Sequence, residues 1–202
     1  MKNVSALTLA LAGLLASGAA NAQVFGTLGY TNVNPKSDNG SLAGADASVN
    51  DDWSVTGSLG YRFNPNLFVE LNTALAPFEH EVTLDGLGTV ASLKHRPTVL
   101  SLGYQFASES RVRPFVRVGY GWIAISDETA RGALTGLDLS AGNANGLAFG
   151  GGLDFLVNDK FFIRAEVSKL DFDTAVTVET LGEVGTAEVD PLVFGVALGY
   201  QF

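Results

Sequence analysis

Large apolar residues stand at every second position through the last stretch of the chain. In "PLVFGVALGYQF" (191–202), Leu192, Phe194, Val196, Leu198, Tyr200 and Phe202 alternate with a row of mostly small residues. A period of two puts successive side chains on opposite faces of a strand, whereas a helix would mix the two rows on every face. The same alternation runs through 53–63, 67–75, 98–106, 114–125, 146–157 and 161–170. A first strand near 23–31 alternates poorly; with it the count is eight.

The connections alternate in length. "NPN" (64–66), "ASESRV" (107–112) and "NDK" (158–160) carry turn chemistry, and between them lie long segments at 32–52, 78–95, 127–145 and 173–190. Short and long connections in alternation over an even strand count describe an antiparallel up-and-down meander with both chain ends on the short-turn side. Within the third long segment, "DETARGALTG" (127–136) is expected to make one or two helical turns.

Two all-β architectures compete. A soluble barrel carries its apolar row inside. Here the row opposite the large apolar residues holds Arg62, Glu70, Arg117, Asp154, Arg164 and Glu166. Inside a soluble, lipocalin-like barrel these six charges would be costly unless paired, and placed outside they would leave mostly Gly, Ser and Ala to form its core. In a membrane the arrangement is natural: the apolar row meets lipid and the glycine-rich polar row fills a narrow lumen. The expected fold is therefore an eight-stranded antiparallel up-and-down transmembrane β-barrel in the outer membrane of a Gram-negative bacterium.

Aromatic positions agree. Phe63, Phe106, Phe155, Phe161, Tyr200 and Phe202 fall beside short turns or the C-terminus, and Trp53 and Trp122 fall toward the long loops, as two interfacial girdles. A terminal aromatic such as Phe202 also resembles the signal that outer-membrane barrels present to their insertion machinery. Sorting inward positions by height splits the lumen. Arg62, Glu70, Arg117, Asp154, Arg164 and Glu166 lie in the half nearer the short turns, where three cations can pair with three carboxylates as a plug. Ala74, Ala76, Ile123, Ile125, Leu170, Phe172 and Val193 are the inward positions of the upper half. Two readings of that apolar half stand side by side: packing beneath the loops, or a pocket for hydrophobic ligands.

Composition narrows the partners. "MKNVSALTLALAGLLASGAANA" has an early Lys2, an apolar run and a small-residue close, the layout of a secretory signal peptide over 1–22; the barrel domain is then 23–202. Cysteine is absent, which removes disulfides and thiolate metal sites, and no cofactor is expected. A formal charge of −9 without a basic run makes nucleic acid an unsuitable partner. The four long segments hold fifteen acidic and three basic residues, a repelling, solvated surface open to divalent-cation contact with lipopolysaccharide. Catalysis has thin support: the two histidines, His80 and His95, fit no zinc-protease spacing, and pairing His95 with Ser92 would need a geometry that proximity does not supply.

These residues resemble the OmpW family of small outer-membrane barrels. The resemblance is carried by "APFEHEV" (76–82), "LGTVASLKHRPTVLSLGYQF" (87–106), "RPFVRVGYG" (113–121), "NDKFFIRAEVSKLDFDT" (158–174) and "VDPLVFGVALGYQF" (189–202). It implies an eight-stranded barrel whose hydrophobic channel is closed toward the periplasm, which admits small hydrophobic compounds and releases them sideways into the membrane. Some members serve as bacteriocin receptors, so a bacteriocin or phage at the loops is a further partner that the resemblance implies. The wall opening of the family is associated with proline near the start of the fourth strand, here Pro97. The chain departs from the family at this point, with Arg96 and Thr98 flanking a single proline, and again at Asn145, where tryptophan is common. The alternative is a non-conducting structural or receptor barrel acting through its loops.

Overall fold

The computed structural model describes residues 23–35, 41–42, 44–178, 182–188 and 190–202; the segment 1–22 lies outside them. Eight long strands form the wall: β1 (Gln23–Asn34), β2 (Asp52–Arg62), β3 (Leu67–Ala74), β4 (Gly88–Gln105), β5 (Val112–Ala130), β6 (Ala144–Leu156), β7 (Phe161–Asp171) and β8 (Leu192–Gln201). Each pairs antiparallel with its sequence neighbours, and β1 pairs with β8 from Phe25↔Gln201 to Asn34↔Leu192, which closes the ring. Closure is what lets a sheet cross lipid, because every backbone N–H and C=O then finds a partner within the wall.

The two rows face as the alternation requires. Leu28, Val116, Tyr120, Trp122, Phe149 and Val196 point out and are exposed, in a band that lipid covers. Phe25, Glu70, Gln105, Asp154, Arg164 and Ser168 point in and are buried. The poorly alternating first strand is a full member of the wall. Its Gly26 and Gly29 blur the pattern, yet Phe25, Thr31 and Val33 fall on the inner face.

The long segments are more ordered than their length suggests. Instead of a loop, 78–95 is a hairpin: Phe78–Leu84 runs antiparallel to the upper part of β4, and Ala45–Val49 adds to its edge. β5 continues to Ala130, paired with β4 as far as Ala91↔Ala130, so the helical turns expected over 127–136 reduce to one 3-10 turn at Gly132–Leu134. The wall on this side therefore rises well above the Thr98↔Trp122 pair.

At the short-turn end the barrel is filled by four phenylalanines, Phe25, Phe68, Phe115 and Phe162, one from each odd-numbered strand. Each faces a glycine on the next strand of the ring: Gly60, Gly103, Gly152 and Gly199. A Cβ at Gly60 would lie 2.1 Å from the Phe25 ring, and one at Gly199 would lie 2.0 Å from that of Phe162. The rings lie flat over bare backbone, so large side chains fit into a narrow lumen without strain.

Candidate functional site

Interleaved with the phenylalanines and rising above them, the inward charges assemble into one network. Arg164 donates through Nη1 to both oxygens of Glu70 (2.9 and 2.8 Å) and through Nε and Nη2 to Asp154 (2.7 and 2.9 Å). Arg62 Nη1 donates to Gln105 Oε1 at 2.7 Å, and Gln105 Nε2 passes the chain to Asp154 at 2.9 Å. Arg117 Nη2 donates to Glu166 Oε1 at 3.0 Å and to Ser168 Oγ at 3.1 Å. The two deepest guanidiniums also lie over aromatic faces, Arg62 4.7 Å from the centre of Phe25 and Arg164 4.5 Å from that of Phe115. All six charged positions read from the alternation are thus brought together, three cations against three carboxylates. Removing such charges from water is tolerable only because each is paired and hydrogen-bonded.

The upper interior is different in kind. Leu170 and Phe172 are buried with Ala144 and Ala148, and Val99, Ile123 and Val193 pack against them. Val33, Ala74 and Phe78 form a second cluster that shares Val193. Ile125 is half-buried, opposite His95 in the register, and does not pack on either cluster. Ala76 is a correction: β3 ends at Ala74, and beyond it Ala76 turns out to solvent.

Between the two halves lies a cavity of about 50 Å³. Its roof is apolar, with Val33, Phe78, Pro97, Val99, Leu170 and Val193; its floor is polar, with Thr31, Thr56, Asn72, Ser101, Arg117, Glu166 and Ser168. At roughly 10–15 Å³ per water, this is room for a few small groups.

Two features of the mouth were not read from the sequence. His80 and His95 stack with ring centroids 4.8 Å apart and planes within 9°, and His95 stacks in turn on Phe78 at 5.3 Å. His80 Nδ1 bonds the carbonyl of Asn50 at 2.6 Å, while His80 Nε2 and His95 Nδ1 are buried without a hydrogen-bond partner among the described residues. Both rings belong to the hairpin above the Thr98↔Trp122 pair. Burial, and secondarily His80, hold His95 down to about 3; burial also lowers His80, against the opposing pull of the Asn50 carbonyl, Asp52 and Asp51. Ser92 is not the partner of His95: its Oγ accepts from Arg131 Nε at 2.9 Å. The spacing His80-x14-His95 across a turn at Gly86–Gly88 was the signal available in the sequence.

The second feature is a change of partner in the wall. β4 pairs with β3 up to Thr73↔Thr98 and with the Phe78–Leu84 arm from Phe78↔His95. Arg96 and Pro97 fall between the two ladders, and Pro97 brings no N–H. Thr73 Oγ1 lies 2.8 Å from Thr98 Oγ1 at the last rung and 3.3 Å from the Pro97 carbonyl.

Comparison with known proteins places this geometry in a group. The profile of the OmpW family matches residues 12–202. Outer membrane protein W of Salmonella typhi is 34% identical over 216 aligned positions, covering 100% of both chains. The dibenzothiophene metabolism operon protein PahQ of Pseudomonas aeruginosa is 28% identical, over 80% of this chain and 77% of the relative. The crystal structure of OprG, an outer membrane protein of the same species, superposes with a TM-score of 0.78 at 27% identity, over 92% of this chain and 98% of that one.

Proposed function

From the premise that this chain belongs to the OmpW family of outer-membrane β-barrel proteins, we propose that it admits small hydrophobic molecules from outside the cell into the upper lumen and releases them sideways into the membrane. The observation that carries the reading is the split interior: an apolar roof over a sealed charge network, in one narrow barrel. Ile123, Ile125, Leu170, Phe172 and Val193 bind the solute on its way. Arg62, Glu70, Arg117, Asp154, Arg164 and Glu166 plug the route to the periplasm. Pro97 marks the exit, where the wall passes from one ladder to the other and a proline weakens pairing. That a relative is named for an operon of dibenzothiophene metabolism supports an apolar cargo. In the same proposal, residues 1–22 are a secretory leader removed from the barrel domain 23–202, Phe202 is read by the insertion machinery, and the acidic loops meet lipopolysaccharide and any bacteriocin or phage.

A second reading, a receptor or structural barrel that passes nothing, is favoured by one observation: Phe78, Leu170 and Val193 leave only about 50 Å³ open. A diazirine-bearing alkane photolysed with the barrel in lipid vesicles separates the two. The transport reading predicts label on Leu170, Phe172 and Ile123, reduced by excess unlabelled alkane. Label confined to the outward row, such as Val167 and Tyr120, would leave the receptor reading.

A further inference from the structure

The floor of the cavity is polar in a specific way. Arg117 spends its Nη2 on Glu166 Oε1 and Ser168 Oγ, but its Nη1 is buried without a hydrogen bond, 3.7 Å from Glu70 Oε2 and so beyond hydrogen-bond reach. Glu166 Oε2 is likewise buried without a hydrogen-bond partner among the described residues. Of the other floor groups, Thr31 Oγ1 lies 2.8 Å from Thr56 Oγ1 and Ser101 donates to the Glu70 carbonyl at 3.3 Å, while Asn72 adds a neutral carboxamide to the lining. One donor and one acceptor are thus left without a hydrogen-bond partner on adjacent side chains that line the cavity floor. A buried polar group left unmatched is costly, so a ligand that matches both gains what a hydrocarbon cannot.

The charge around these two atoms selects further. Arg62, Arg117 and Arg164 balance Glu70, Asp154 and Glu166, so the network carries no net charge. An anionic head would meet Glu70 and Glu166 at close range, and an ammonium would meet Arg117 and Arg164. A hydroxyl accepts from Arg117 Nη1 and donates to Glu166 Oε2 with no charge to desolvate, and a cavity of about 50 Å³ holds such a head while the chain runs upward past Val99, Leu170 and Val193.

We infer that this site takes molecules with an apolar body and one neutral hydrogen-bonding head, in the first place a primary alcohol, with Arg117 and Glu166 as the head-group site. The inference rests on the proposed hydrophobic route and narrows its cargo.

The barrel in lipid nanodiscs is titrated with 1-hexanol, n-hexane, hexanoate and hexylammonium, while the backbone amides of Glu166, Ser168 and Leu170 are followed by NMR. The expected result is saturable shifts at all three with 1-hexanol, at least ten-fold tighter than with the other three probes, and a loss of that preference in Glu166→Gln. Val167→Ala, on the outward face of β7 and outside the cavity, is expected to keep the preference for the alcohol. Equal affinity for 1-hexanol and n-hexane, or a preference for either charged probe, would overturn the head-group site and leave the hydrophobic route standing. No saturable shift at any of the three amides with any probe would overturn the route itself.

Discussion

The ring of Phe68 occupies the space that a side chain at Gly103 would need: a Cβ there would lie 2.1 Å from Cζ of Phe68. The two residues are directly opposed in the β3–β4 register, and the same relationship recurs around the floor of the barrel. Gly103→Ala is therefore expected to destabilise the barrel by about 1–3 kcal/mol through overpacking. The double variant Phe68→Leu/Gly103→Ala should recover part of that loss. Urea unfolding of the refolded barrel measures both, and strictly additive losses would mean that the two side chains do not contend for one space.

Arg164 joins Glu70 to Asp154 at the centre of the charge network. Arg164→Ala leaves two buried carboxylates without their main partner, for an expected loss of about 3–5 kcal/mol. Glu70→Gln, which keeps a hydrogen-bonding group against Arg164 and Ser58, should lose less. Denaturant midpoints compare the two; a silent Arg164→Ala would show that Arg62 and Arg117 alone hold the plug.

The histidine stack makes the mouth acid-sensitive. Both rings have pKa values below the ordinary 6.5, so the folded hairpin binds fewer protons than the unfolded one. The stabilisation is complete above about pH 6.5 and is lost as pH falls below it toward the folded values. Holding His95 neutral costs about 1 kcal/mol between pH 6.5 and 5.5, and His80 adds to it in the same direction. Hydrogen-exchange protection of 78–84, corrected for intrinsic rates, should fall between pH 6.5 and 5.5, by about five-fold from His95 and further from His80. His95→Phe keeps the stack and should blunt the fall. An unchanged protection factor at pH 5.5 in the wild type would contradict it.

How much of this was legible in the sequence depends on whether a feature runs along one strand or across two. The rows of β8, β4 and β5 are properties of single strands, and the alternation alone placed Arg117, Asp154, Glu166 and the lipid-facing Trp122 on their proper sides. The phenylalanine floor is a relation between strands. Phe68, Phe115 and Phe162 were visible in the charged row, but their fit against Gly103, Gly152 and Gly199 emerges only once register is set. A trace did exist: Gly60-Tyr61-Arg62-Phe63, Gly103-Tyr104-Gln105-Phe106, Gly152-Leu153-Asp154-Phe155 and Gly199-Tyr200-Gln201-Phe202 repeat glycine, outward residue, inward polar residue and girdle aromatic. The His80–His95 stack was hidden because 78–95 has the charge and turn residues of a loop, while its strand pairing is supplied by the upper part of β4. Ala76 was misplaced for the converse reason: the alternation continues past Ala74, but the chain leaves the wall there to reach the hairpin.

The upper lumen is either a route for apolar solutes or packing beneath the loops. The most direct measurement is uptake of a labelled alkane and of a small sugar by cells lacking related barrels, carrying either this protein or the double variant Leu170→Arg/Ile123→Arg. Faster alkane uptake with the wild type, abolished in the double variant at equal surface level and with sugar uptake unaffected, is the predicted result. Equal alkane uptake by the wild type, the double variant and cells without the barrel would contradict the route and reduce the apolar lining to packing.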